Sequence, residues 1–209
     1  KTIKKYGPEI FNWLAGEKTE SGKTRVRGII DIVFSPADNG LREFTELEVR
    51  LMGKEWLSPQ EVIKKEYTLV WLGSILGFYS DDERKENTKR MFKQYGPDVF
   101  NWFVKKKTDS GKTEVRKIID RILSTKEEVF REFIELETKM MGKGWLSPQE
   151  AIETEYTLLL LGEKLDYFPS SQRAEKLMSI YGKYPPEITG KFEKEKARNI
   201  IDKIMPSAR

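Results

Sequence analysis

The chain has 209 residues, 38% of them apolar and 11% aromatic, which is ample for a buried core. Its 38 Lys and Arg stand against 34 Asp and Glu, a net charge of +4, and the two signs are interspersed rather than gathered into the basic runs of a nucleic-acid binder. Cysteine and histidine are both absent, which excludes disulfides, thiolate nucleophiles, ordinary zinc sites and a Ser-His-Asp arrangement. No apolar stretch reaches the length of a membrane span.

The sequence repeats itself with a period of 89. Tyr6-Gly7-Pro8-Glu9-Ile10-Phe11-Asn12-Trp13 returns as Tyr95-Gly96-Pro97-Asp98-Val99-Phe100-Asn101-Trp102. Likewise Trp56-Leu57-Ser58-Pro59-Gln60-Glu61 returns as Trp145-Leu146-Ser147-Pro148-Gln149-Glu150. Roughly 40 of the 75 pairs between residues 6–80 and 95–169 are identical without a gap. Chains built this way are characteristically binding scaffolds, because a reiterated unit makes an extended surface whose copies can diverge toward different partners.

The first predicted helix opens at Gly7-Pro8, with proline at its first position, and buries Phe11 and Leu14, or Phe100 and Phe103 in the second copy. The second carries Val26, Ile29, Ile30 and Val33 at i, i+3, i+4, i+7, matched by Val115, Ile118, Ile119 and Ile122. The third presents one apolar stripe, Phe44, Leu47 and Leu51, or Phe133, Leu136 and Met140. Ser58-Pro59-Gln60-Glu61 and Ser147 to Glu150 are capping boxes that start a fourth helix. Ser80 to Glu83 is another, starting a fifth that runs through Met91 and Phe92 into Tyr95. Near the C-terminus Ala197, Ile200, Ile201 and Ile204 repeat the second-helix spacing, with Tyr181-Gly182 standing before them as Tyr95-Gly96 stands before the second copy. No strand pattern is found. The expected fold is all-α and elongated: two five-helix modules, 1–90 and 91–179, and a two-helix partial third, 180–209.

Several motifs invite a chemical reading. Thr19 to Thr24 and Thr108 to Thr113 resemble the end of a phosphate-binding loop, but Gly16 lies one residue too far from Gly22, the second copy lacks that glycine, and no strand precedes either. They read as helix-start connectors. Arg27 and Asp31, Arg116 and Asp120, and Arg198 and Asp202 flank the Ile-Ile dipeptides at i, i+4 and read as salt bridges that define the module. Glu43, Glu46 and Glu48 lie on a charged helix face, where acid–base chemistry lacks the desolvation it needs. Lys105-Lys106-Lys107, the one basic cluster, reads as a solvated helix end. Trp13, Trp102, Trp56, Trp145, Tyr67 and Tyr156 hold fixed places and read as core. Trp71 differs, its counterpart in the second copy being Leu160. Positions that differ, such as Gly28 against Lys117 and Lys64-Lys65 against Glu153-Thr154, are expected at the surface. No catalytic, cofactor-binding or metal-ligating residue is singled out.

The segments Met91 to Val99, Leu57-Ser58-Pro59-Gln60-Glu61-Val62-Ile63 and Trp71-Leu72 with Phe78-Tyr79, in a unit of about 90 residues and five helices, resemble the L, W and Y elements of tandem WY and LWY modules. Those modules belong to the RXLR effectors that oomycete pathogens secrete into plant cells. The pattern departs from the family where Met52 and Met141 stand at the usual Trp position, or that Trp is displaced to Trp56 and Trp145, and where Leu160 replaces the Y-element Trp. No RXLR or EER motif stands in these residues; the resemblance places one, with a signal peptide, in the full precursor. It implies a non-enzymatic, monomeric virulence effector that binds host proteins in the host cytoplasm without cofactor or nucleic acid. Some tandem LWY proteins are similar to regulatory subunits that recruit the protein phosphatase 2A core, a partner the residues do not assign. The alternatives are a nucleic-acid-binding helical repeat and a purely structural or oligomerising one.

Overall fold

The structure, a computed structural model, describes residues 2–205 and the side chains of residues 7–205. Among the described residues the chain is all-α, with no strand beyond two isolated bridges, Lys18 to Thr24 and Lys107 to Thr113. It forms two compact units that divide between Phe103 and Val104.

In the first unit α1 (Thr2–Phe11) is interrupted at Gly7, whose φ of 78° and ψ of 178° are open essentially to glycine alone. Pro8 starts a fresh helical turn, which continues through the π-helical turn Asn12–Gly16. Thr24 caps α2 (Arg25–Val33) by accepting a hydrogen bond from the Arg27 amide. Phe11, Ala15, Val26 and Ile30 form a small core closed by Trp56, whose ring lies 5.1 Å from Phe11. Then follow α3 (Asn39–Leu51), α4 (Pro59–Ile75) and α5 (Asp81–Phe100), the last two started by the Ser58/Glu61 and Ser80/Glu83 capping boxes. Gly73 lets the Tyr79 ring lie against α4, since a Cβ there would stand 2.4 Å from that ring.

The helix α5 is broken at Gly96 (φ 77°, ψ −179°) and restarts at Pro97, running into a π-helical turn, Asn101–Lys105. The break turns the chain back on itself. Phe100 comes to 4.9 Å from Phe92, and Phe103 to 5.3 Å from Tyr67, all four rings being fully buried. The segment that opens the second sequence copy thus completes the core of the first unit.

The second unit contains α6 (Glu114–Ile122), α7 (Glu128–Met141), α8 (Pro148–Lys164), α9 (Arg173–Tyr181), α10 (Pro186–Phe192) and, after the π-helical turn Glu193–Ala197, α11 (Arg198–Ile204). A core cluster built on α8 receives Phe192, whose ring lies 5.1 Å from Tyr156. Lys164 Nζ donates to the Ile204 carbonyl at 2.9 Å and ties down the end of α11.

Several expectations about packing need correction. Ile29 and Val33 do not join the core: they are 55% and 69% exposed, because α2 turns Val26 and Ile30 inward and no described side chain covers the neighbouring stripe. Trp71 is buried although it differs between copies, and so are Leu160 and Thr154; equivalent sites in the two units hold side chains of different size. Gly182 is not a second Gly96, since its φ of −63° is ordinarily helical. Tyr184 and Phe192, 89 residues after Tyr95 and Phe103, are the residues in register, and Pro186 begins the helix there.

Gly96→Ala should destabilise the chain by about 1–3 kcal/mol, the cost of forcing a side chain into that backbone region. Gly190→Ala, in a helix where a Cβ meets nothing within 4 Å, should not. Urea unfolding of the two variants compares them directly.

Candidate functional site

The recurrent Arg/Asp pairs lie in a network between the second and third helices of each unit. Arg27 Nε donates to Asp31 at 2.8 Å, and Lys23 and Arg42 bond the same carboxylate. Glu46 accepts from Thr24 at 3.1 Å and from Arg50 at 3.0 Å, and pairs with Arg27 at 3.4 Å. In the second unit Arg116 bonds Asp120 at 2.7 Å, Glu135 at 3.2 Å and also Glu128, while Lys112 and Arg131 complete the Asp120 cluster. Glu46 therefore faces α2 rather than solvent, which corrects its reading as a free polar-face carboxylate. Hydrogen bonds from Lys23 and the two arginines hold the Asp31 carboxyl far below its usual range. Burial of Asp120 opposes its ionisation, but Lys112 and Arg116 outweigh that and lower it. Carboxylates depressed in this way serve as ion-pair struts. The third pair, Arg198 and Asp202, is exposed and forms no such bond, for the second arginine of each cluster comes from α3 or α7 and Asp202 has no such neighbour among the described residues.

The loops at Thr19 and Thr108 are tight reverse turns. In each, the Thr amide and hydroxyl bond the lysine carbonyl four residues on (Thr19 to Lys23, Thr108 to Lys112), a glycine at φ 74° makes the bend, and the following threonine caps a helix. Their lysines reach back to Asp31 and Asp120. Of the lysine cluster, Lys105 pairs with Glu150 at 2.9 Å, and this bond, with the Ser147 amide, overcomes burial to hold Glu150 down to about 2. Tyr67 and Tyr156 are core residues as expected, but Trp13 is 49% exposed and carries Arg25 over its ring at 4.6 Å. Trp102 lies partly buried beneath Lys64 at 5.1 Å. At the Trp71 position Arg84 stacks on the indole at 4.2 Å. In the second unit Leu160 offers no such face, and the corresponding Arg173 bonds Glu163 instead.

What sequence reasoning missed is a pair of grooves. One, of about 410 Å³, lies between α4 and α5 with the end of α3 at its side. The other, of about 510 Å³, lies between α8 and α9 beside α7. Nine of the ten residues lining the first have a counterpart 89 residues on in the lining of the second. Two pairs are unchanged, Glu66 with Glu155 and Leu69 with Leu158. The others differ: Leu51 becomes Met140, Val70 Leu159, Tyr79 Phe168, Asn87 Lys176, Arg90 Ser179, Met91 Ile180 and Gln94 Lys183. The available signal was the disagreement between copies along the fifth helix, but only folding brings those positions opposite Leu69 and Leu158.

No protein-family profile, curated protein or solved structure matches the chain. Among the described residues no helix is long and apolar enough to cross a membrane, and no group of three or more Asp or Glu side chains is placed to hold a metal ion.

Arg116→Met should cost roughly 2 kcal/mol at pH 7, because it strands carboxylates around a largely buried position. The folded-state pKa of Asp120 lies below its ordinary 3.8, so the stabilisation is full above that value and is lost as pH falls through the folded one. The gap between wild type and variant in urea midpoint should therefore close as pH is lowered from about 5 toward 2.

Proposed function

We propose that the chain is a non-enzymatic helical scaffold whose two units are copies of one module and whose grooves bind other proteins. The carrying observation is the paired grooves, equal in position and unequal in lining: a shared framework presenting two different surfaces is what divergence toward different partners produces. The polar clusters support the same reading, since the carboxylates that stand out electrostatically are lowered by cations or helix-cap amides, opposite to the elevation a general acid requires. The resemblance to tandem WY and LWY modules extends the proposal to a secreted virulence effector that acts inside plant cells on host proteins.

The test is affinity capture from plant extract by the wild-type chain and by Leu69→Glu and Leu158→Glu, which place a charge in one groove each at half-buried positions. Each variant should keep wild-type helicity and lose a different subset of the captured proteins. Unchanged capture by both, or a specific turnover activity abolished by replacing one carboxylate, would overturn the proposal.

A further inference from the structure

The helical pair α1–α2 recurs at α10–α11, where its outward face is covered. Ile10, Leu14, Ile29 and Val33 correspond in the sequence to Ile188, Phe192, Ile200 and Ile204. Those four belong to the core cluster built on α8 or pack against it. Ile118, the counterpart of Ile29 in the middle copy, is 8% exposed. In the first unit the same face is bare: Ile10 is 47% exposed, Ile29 55% and Val33 69%.

A repeat face left to solvent is expected to turn polar. Here the substitutions run the other way. Ile32, 86% exposed, stands where the other copies carry Arg121 and Lys203, the latter paired with Glu132 at 3.1 Å. Gly28 stands where they carry Lys117 and Asn199. Glycine inside a helix weakens it relative to alanine, and a Cβ at Gly28 would meet nothing within 4 Å, so no neighbour in the chain requires it. A second backbone arriving from outside does require it. Arg25, Gly28, Ile29 and Ile32 follow one another at i, i+3, i+4 and i+7, with Val33 alongside, and so form one stripe of α2. The one charge in that stripe is already answered: Arg25 donates to the Trp13 carbonyl at 2.7 Å and pairs with Glu17 at 3.5 Å. Drying the face therefore strands no charge.

Area and symmetry point to the occupant. Ile10, Trp13, Ile29, Ile32 and Val33 leave roughly 600 Å² exposed, as much as the largest apolar patch of a typical monomer. Two such faces together bury about 1,200 Å², the lower edge of a stable specific interface. A second copy supplies the matching area, the same absence of unanswered charge and, where the helices cross, the same missing side chain. Glycine opposite glycine gives the closest approach of two helices. We infer that two copies of the chain pair as a two-fold dimer through their α1–α2 faces, with α2 crossing α2 at Gly28. This replaces the monomer that the family resemblance implies, and it is independent of what occupies the two grooves. An interface of this size sets the dissociation constant in the micromolar range.

Sedimentation velocity of the full chain, from micromolar to several hundred micromolar, should show its mass rising toward twice that of one chain. Ile29→Glu and Ile32→Lys, both at exposed positions, should keep wild-type helicity and weaken the dimer at least tenfold. Gly28→Gln should do the same while raising the thermal midpoint of the dilute monomer, a pairing of effects that a purely structural glycine would not give. Met178→Lys, at an exposed position on α9, should leave the dimer unchanged. Because the chain has no cysteine, Gly28→Cys carries a single thiol, and mild oxidation should link two chains faster than it links Met178→Cys. A monomer at every concentration would overturn the inference, as would a dimer indifferent to Ile29→Glu and Ile32→Lys. So would Gly28→Cys linking no faster than Met178→Cys, the result expected if the chains instead exchanged α10 and α11.

Discussion

Each unit depends on an aromatic ring delivered to it from beyond its own five-helix stretch of sequence. Phe103 seats against Tyr67 and Phe92 in the first unit, and Phe192 against Tyr156 in the second. Burying a ring of this size is worth about 1.5–3 kcal/mol, and each edge-on aromatic pair adds about 0.5–1.5 kcal/mol. The seat exists because the backbone reverses just ahead of it, at Gly96-Pro97 in one case and at Pro185-Pro186 in the other. The sequence period and the packed unit are consequently out of phase: residues that read as the start of one copy are interior to the preceding unit.

Around that constraint the polar network sets the angle between the second and third helices. Arg27 and Arg116 each bridge carboxylates from two helices, and Thr24 and Thr113 cap one helix while bonding Glu46 and Glu135 on the next. Such a network has many geometric demands and little chemical reactivity, since its lowered carboxylates, Asp31 and Asp120, are committed to cations. The fifth helix is freer. Its inner face stays apolar or aromatic, with Met91 and Phe92 or Ile180 and Tyr181, while the polar positions toward the groove change from Asn87, Arg90 and Gln94 to Lys176, Ser179 and Lys183.

Most of the local structure was legible in the sequence, for reasons that act over a few residues. Capping boxes at Ser58, Ser80 and Ser147, proline at helix starts and the Val26/Ile30 spacing all operate within one turn of helix. What was illegible depends on which face a neighbour covers. Ile29 and Val33 fit the helical spacing as well as Ile118 does, yet only tertiary packing decides that the first two are exposed and the third buried. Trp71 was misread because disagreement between copies was equated with exposure, whereas a core can be filled by Trp beside Arg84 in one unit and Leu in the other. The grooves join residues from three helices, and no local pattern announces such a meeting.

The central claim is that the ring seated on α8 fixes the wall on which the second groove is built. Hydrogen exchange of the Phe192→Ala chain tests it most directly, large-to-small replacement of a buried phenylalanine costing about 3–5 kcal/mol. Amides of α8 and α9 should lose protection together with those of α10. Loss confined to α10 and α11, with α8 and α9 as protected as in the wild type, would contradict it.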